Sequence, residues 1–277
     1  MRVLSWNIQW GRGIDGRVDL ARTATVIRGC DADVVCLQEV AVNHPGLPGG
    51  ATGDQVARLG ELLPGYASTY AAGSDLPDGQ GGRSLFGQMI LSRLPLLQVF
   101  RHLLPHPAEG GIKHMQRQAI EVVVETRGGP LRVVTTHLEY YSDGHRAAQI
   151  ERLRALQDEV AGNEARPPKS AASPYDPVPR PASLVLCGDL NLLPGDAEYA
   201  LLFQPPLLDA WRRARPGEPH PPTTGLFDRN QWPMGGHCRD YFAVTSDVAQ
   251  RIAAIEADLA TDASDHQPVT LELRDPA

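Results

Sequence analysis

Six short segments of the 277-residue chain set an acid, an amide or an imidazole against an apolar run. They hold Asn7 in SWNIQWG, Glu39 in LQEV, His137 in TTHLEYYS, Asp189 and Asn191 in CGDLN, Asp240 in RDYFAV, and Asp265 with His266 in SDHQP. All but Asp240 follow what reads as a buried strand, and strand ends are where sheets present reactive groups. Taken singly, each is more often a turn, a cap or a packed polar residue. Taken together, carboxylate and amide oxygens suit a hard cation such as Mg²⁺ or Mn²⁺. Zinc asks for His and Cys at closer spacings. Such a cation lowers the pKa of water and offsets charge on phosphoryl oxygens. Asn and His donors aimed at that charge add to the effect, and Asp240 is the candidate to fix the tautomer of His266. The chemistry these residue types support is hydrolysis of a phosphate ester.

The elements that must position them are legible in outline. Arg2 to Ile8 alternates as a strand, Asp19 to Gly29 as an amphipathic helix, and Asp33 to Val40 as a buried strand. Residues 43 to 54 and 73 to 84, rich in Gly, Pro and Asp, read as loops around a short helix at Gln55 to Leu63. Strands are expected at Leu85 to Leu91, Leu96 to Leu103 and Gln118 to Thr126, the last turning at Gly128 and Gly129 into a hairpin with LRVVTTHLEY. A helix follows at His145 to Val160, then a proline-rich loop at 162 to 182, then the strand SLVLCGDLN. Strands at Tyr241 to Thr245 and Val269 to Leu273 complete the pattern. The expected architecture is α/β: a four-layer sandwich of two packed, mixed, mainly antiparallel sheets flanked by helices, with residues 1 to 277 as a single domain.

The ordered set WNIQ, LQE, THLE, GDLN, RDY and SDH resembles the endonuclease/exonuclease/phosphatase superfamily. Its members include repair nucleases, pancreatic-type deoxyribonucleases, neutral sphingomyelinases and inositol polyphosphate 5-phosphatases. GDLN and SDH are specific in combination, and the motifs span nearly the whole chain. The resemblance implies that Glu39 is the principal metal ligand, with Asn7 beside it and Asp265 completing the site. It implies that Asp189 orients or deprotonates the attacking water and that Asn191 holds a phosphate oxygen. His266, oriented by Asp240, would contact the scissile phosphate, and His137 would be a further phosphate-side imidazole. Arg146 and Gln149 in HRAAQIERL resemble the Arg and Gln that follow THLE in many members, and serve equally well as helix-face packing residues. Arg117, Tyr140 and Tyr141 are within the same reading either phosphate contacts or packing. Gln9 departs from repair nucleases resembling exonuclease III, which often carry an acid or Asn there.

A net charge of −7 without a basic run disfavours a dedicated nucleic-acid binder, though not a nuclease that touches DNA briefly. The implied substrate is a phosphate ester, with nucleic acid and nucleotides among the candidates, and no obligate protein partner is evident. Four scattered cysteines, no signal-like N-terminus and no long apolar stretch imply a reduced, cytoplasmic protein without a transmembrane segment. A non-catalytic module on the same fold is the alternative, opposed by the intact acids. A serine or cysteine esterase is disfavoured because no GxSxG elbow occurs. His102, His106 and His114 are irregularly spaced among Pro and Gly and read as a solvated loop.

Overall fold

The computed structural model describes residues 1–169 and 175–275. Among them are thirteen strands: β1 (Arg2–Asn7), β2 (Val34–His44), β3 (Ala51–Asp54), β4 (Ala67–Pro77), β5 (Arg83–Ser92), β6 (Leu96–Leu103), β7 (Gln118–Thr126), β8 (Gly129–His137), β9 (Leu184–Asp189), β10 (Leu207–Asp209), β11 (Asp240–Thr245), β12 (Ile252–Ala257) and β13 (Val269–Leu273). Six α-helices join them: α1 (Leu20–Cys30), α2 (Gln55–Leu62), α3 (Asp143–Ala165), α4 (Ala197–Leu202), α5 (Ala210–Ala214) and α6 (Ser246–Ala249).

The strands form two mixed sheets, one ordered β12-β13-β1-β2-β5-β4 with β3 appended to β2, the other ordered β10-β11-β9-β8-β7-β6. Each sheet has one parallel pair near its centre, β1 with β2 and β8 with β9. Each pair is joined by a crossover helix, α1 in the first and α3 in the second. All remaining pairings are antiparallel.

Alternation along the strands explains the layering. Val3, Val34, Cys36 and Ile90 of the first sheet meet Ile120, Val122, Val133, Val185 and Phe242 of the second. Their neighbours Leu4, Trp6, Val35 and Leu37 face outward against Ala24 and Ile27 of α1 and Leu59 of α2. On the opposite flank, Val134 and Leu186 pack on Ile150, Leu153 and Leu156 of α3. The central strands are apolar on both faces because both faces are covered. The result is the expected four-layer α/β sandwich.

Element boundaries depart from the sequence reading in informative places. Residues 43 to 54 are loop only at 45 to 50, since β2 continues to His44 and folds back as β3. Only 78 to 82 of the expected loop at 73 to 84 is a turn, because Ser74 to Pro77 pair with Arg83 to Phe86. β4 is an edge strand with mostly exposed or half-buried side chains, so it carries no strong apolar signal. β12, another edge strand, escaped the sequence reading for the same reason. Helix α3 begins two residues before His145, with the Ser142 hydroxyl accepting from His145 N–H, and runs to Ala165. It thereby takes in the first part of the expected loop at 162 to 182, of which 170–174 lie outside the described residues.

One buried ionic cluster ties the flank of the second sheet together. Glu121 on β7 accepts from Arg132 Nε at 2.9 Å and from Arg180 Nε and Nη2 at 2.7 and 2.8 Å. His102 Nε2 lies 3.1 Å from its other oxygen. Burial opposes the charge on Glu121, but Arg180, His102 and Arg132 hold its pKa far below the usual carboxylate range. A depressed folded pKa means stabilisation that is complete above the unfolded value, about 4.3, and lost as pH falls below it. Glu121→Gln is therefore expected to reduce unfolding free energy by about 3 kcal/mol at pH 7. In urea titrations the gap to wild type should hold steady above pH about 5 and shrink in more acidic buffer. A gap that grows on acidification would contradict this assignment.

Candidate active site

The two parallel pairs bring their carboxyl ends to one edge of the sandwich. Asn7 closes β1, His137 closes β8, and Asp189 closes β9 directly beside His137 in register. Asp240 opens the antiparallel β11 opposite Asp189. Glu39 does not follow a strand end, as the sequence reading had it. It occupies a bulge inside β2, between Leu37 and Val40, with φ of 60°. Asn191 also has a left-handed backbone, φ 52°, two residues past β9. Held left-handed conformations of this kind cost on the order of 1–3 kcal/mol and recur where a side chain must be aimed. Gly188 has φ of 147°, and a Cβ there would lie 1.9 Å from Thr136 O, so only glycine lets β9 lie against β8 just before Asp189.

Asn7, Glu39, His137, Asp189, Asn191, Asp240, Asp265 and His266 converge. Glu39, His137, Asp189, Asn191, Asp265 and His266 line one cleft of about 440 Å³. Behind them, Asn7 donates from Nδ2 to Glu39 Oε1 at 3.2 Å and to Asp189 Oδ2 at 3.0 Å. Its amide oxygen accepts from Gln9 N–H. In this orientation Asn7 spaces two carboxylates with its N–H groups. His137 fills the opposite gap, Nδ1 lying 3.6 Å from Glu39 and Nε2 3.4 Å from Asp189. Burial, reinforced by Arg117, pushes the His137 pKa down to about 3, so its ring is neutral.

His266 behaves in the opposite way. Its Nδ1 lies 2.9 Å from Asp240 Oδ2 and its Nε2 3.5 Å from Asp189 Oδ2. Burial disfavours its charge, but Asp240, Asp189 and Asp265 outweigh burial and push its pKa up to about 10. Thr223 Oγ1 donates to the same Asp240 oxygen, and Trp6 Nε1 donates to the His266 carbonyl, so the imidazolium is fixed from two sides.

Asp265 is clasped by side chains the sequence reading did not single out as a unit. Gln231 Nε2 and Trp232 Nε1 both donate to its Oδ2, at 2.9 and 3.0 Å. Gln9 Nε2 donates to Gln231 Oε1, and Arg12 Nη1 to Gln9 Oε1. No sequence pattern ties a tryptophan 33 residues upstream to this aspartate. Arg239 is a second unread participant. It donates to Asn191 Oδ1 and lies 4.9 and 5.2 Å from the rings of Tyr140 and Trp232.

Arg146 and Gln149 act on the backbone rather than at the cleft. Arg146 Nη1 donates to the carbonyls of Glu139 and Tyr140, and Gln149 Oε1 accepts from Glu139 N–H. Arg117, at the cleft wall, pairs with Glu139 at 3.3 Å, and Glu139 in turn accepts from the N–H groups of Tyr140 and Tyr141. Tyr140 and Tyr141 are exposed at the rim.

One ligand atom from each of Asp189, Asp240 and His266 lies within 4.8 Å of the others, a donor set able to hold a metal ion. Glu39 and Asp265 make a stronger case for a divalent cation. Neither carboxylate is paired with Lys or Arg among the described residues. Burial, then the charge of Asp265, then that of Asp189 push the Glu39 carboxyl up to about 7. Acids that share the single imidazolium of His266 and have no Lys or Arg partner are what a hard cation relieves.

A family model described as the endonuclease/exonuclease/phosphatase family matches residues 4–266. No curated protein matches the chain. Among solved structures, an endonuclease/exonuclease/phosphatase from Beutenbergia cavernae is 29% identical, with TM-score 0.73, over 100% of this chain and 72% of that one. The mannosyl-6-phosphatase of Bacteroides thetaiotaomicron is 16% identical, with TM-score 0.71, over 99% of each chain. A Neisseria 3′ phosphatase, NExo, bound to product DNA hairpin is 20% identical, with TM-score 0.62, over 99% of each chain. The last two likenesses are of fold.

The crowded acids yield a test that needs no substrate. In EDTA, Glu39→Gln removes one buried charge and keeps an acceptor for Asn7, and it is expected to raise the Tm by roughly 2–4 °C. Added MgCl₂ should raise the Tm of the wild type and leave that of the variant in place. A variant that melts below wild type in EDTA would mean the carboxylates are already compensated.

Proposed function

The chain belongs to the endonuclease/exonuclease/phosphatase family, and we propose that it hydrolyses a phosphate ester in this cleft with Mg²⁺ or Mn²⁺ as cofactor. Residues 1–277 act as one unit in this reading. The observation that carries it is a buried imidazolium, His266, facing Asp189 across 3.5 Å, with unpaired Glu39 and Asp265 beside them.

Glu39 and Asp265 would hold the cation, and Asn7 joins them as a ligand when its amide turns its oxygen inward. When bound, the cation supplies Lewis acidity toward a phosphoryl oxygen. Asp189 Oδ2, set between Asn7, His137 and His266, accepts a proton from the attacking water while the P–O bond to the alcohol breaks, and the departing alkoxide takes up a proton from solvent. The other oxygen of Asp189 accepts from Asn191 N–H and fixes the carboxylate plane. His266 donates from Nε2 to a phosphoryl oxygen as charge grows there, and Asp240 keeps that proton on Nε2 by holding Nδ1. His137, neutral, offers an N–H without adding charge. Asn191 directs one amide hydrogen to Leu138 O, which leaves the other for phosphate.

The cleft is walled by Trp10, Pro48, Tyr140, Tyr141, Gln231 and Trp232, with Arg12 and Arg117 as its cations. That shape suits a compact phosphorylated molecule, a sugar or nucleotide, seated between aromatic faces. A chain of net charge −7 holds an extended polyanion poorly.

Turnover of p-nitrophenyl phosphate and of bis-p-nitrophenyl phosphate should appear with MnCl₂ or MgCl₂ and vanish with EDTA. Asp189→Asn and His266→Ala are each expected to lower kcat by about 10²–10³-fold with far-UV circular dichroism unchanged. A parallel panel of sugar phosphates, nucleotides, abasic duplex and plasmid DNA ranks substrates. Undiminished kcat in the His266 variant would remove that residue from the mechanism.

A further inference from the structure

Away from the cleft, the loop between β6 and β7 meets the first turn of α3 and gathers three imidazoles and a carboxylate. His106 Nε2 faces His114 Nδ1 at 2.5 Å. Their ring centroids are 4.5 Å apart and lie 5.2 and 5.3 Å from that of His145. His145 is 1% exposed, and neither of its ring nitrogens has a hydrogen-bond partner. Its Nε2 stands 3.6 Å from Glu109 Oε2, an oxygen that also accepts from Ser142 Oγ at 2.5 Å. His102, the other histidine of this stretch, is engaged elsewhere by Glu121.

A buried imidazole with both nitrogens idle is rare and calls for a missing partner. Here the groups beside it include two further imidazoles and a carboxylate. We propose that His106, His114, His145 and Glu109 form a Zn²⁺ site. Three imidazoles and one carboxylate are a donor set that zinc takes and Mg²⁺ does not favour. The donors stand in two pairs, His106 with His114 and His145 with Glu109. His106 and His114 are exposed and free to rotate, so their nitrogens can turn toward the buried His145 and Glu109, with His145 as the fixed point.

The ion ties the loop to α3. Met115 N–H and Arg117 Nε both donate to Glu139, so the loop end carries the cleft arginine and props the Tyr140–Tyr141 segment. Zinc here is a staple that sets the cleft wall, distinct from the Mg²⁺ or Mn²⁺ chemistry among the acids. The site stands whether or not the phosphoesterase reading does.

The test is Zn²⁺ titration of the full chain against a chromophoric chelator, in a Glu39→Ala background that weakens metal binding in the cleft. Adding His114→Ala should remove one equivalent of tight zinc. The affinity lost should exceed the roughly 10–100-fold that removal of an outer-shell partner causes. His106→Ala should do the same, and excess MgCl₂ should not compete. Both histidines are exposed, so the metal-free Tm should match the parent, while the zinc-induced rise in Tm disappears. Equal zinc stoichiometry and affinity in parent and His114→Ala would overturn the proposal, as would a zinc-induced Tm rise that survives both substitutions.

Discussion

Four carboxylates, those of Glu39, Asp189, Asp240 and Asp265, meet at one edge of the sandwich, and among the described residues no lysine or arginine pairs with any of them. His266 carries positive charge in their midst. Charges so close and so far from water repel strongly, since the low local dielectric amplifies the like-charge term. The fold must therefore hold together an arrangement that opposes its own stability. Much of the rest of the molecule can be understood as the means of doing so: two sheets packed face to face, apolar on both sides at their centre, with helices covering the outer faces.

The means of placement is repeated. Each sheet contributes a parallel strand pair with a crossover helix, and the ends of both pairs point to the same edge. Parallel neighbours end side by side, so Asn7 and the residues around Glu39 come from one sheet, and His137 and Asp189 from the other. The two sheets are bridged behind the cleft by Gln38, whose Nε2 donates to Thr135 Oγ1 at 2.8 Å. Left-handed backbone occurs at two of the residues that need aiming, as it does at Gln9, Trp10, Asp31 and Asn43. Glu39 and Asn191 are left-handed, and Gly188 makes the close approach before Asp189 possible.

What could be read in the sequence was set by periodicity and by chain-local motifs. The two parallel pairs are long apolar runs, and their ends carry acids and imidazoles, so both the sandwich and the cluster of Asn7, Glu39, Asp189, Asp265 and His266 were within reach. The edge strands β4 and β12 were not, because one-sided pairing demands no apolar alternation. The bulge at Glu39 was not, because nothing in LQEV distinguishes a strand end from a bulge inside a longer strand. The Gln9–Gln231–Asp265 chain and the Arg239 contacts depend on loops far apart in sequence, which no local signal connects. His145 illustrates the same limit. In the sequence it is one helix residue, and only the return of the 104–117 loop makes it the buried member of a trio.

The loop that would select a substrate is also the loop that steadies the acids. Gln231 and Trp232 donate to Asp265, while Trp232 meets the rings of Tyr140 and His237 edge to face at the cleft mouth. Arg239 joins the same aromatic group and reaches back to Asn191. A change in the loop that alters which ligand fits between Trp232 and Tyr140 must therefore also shift Asp265, and with it the charge balance around Glu39. Specificity loops on most scaffolds vary freely because they only touch the substrate. Here the indole N–H is both wall and hydrogen-bond donor, so shape and electrostatics in this cleft are bound to change together.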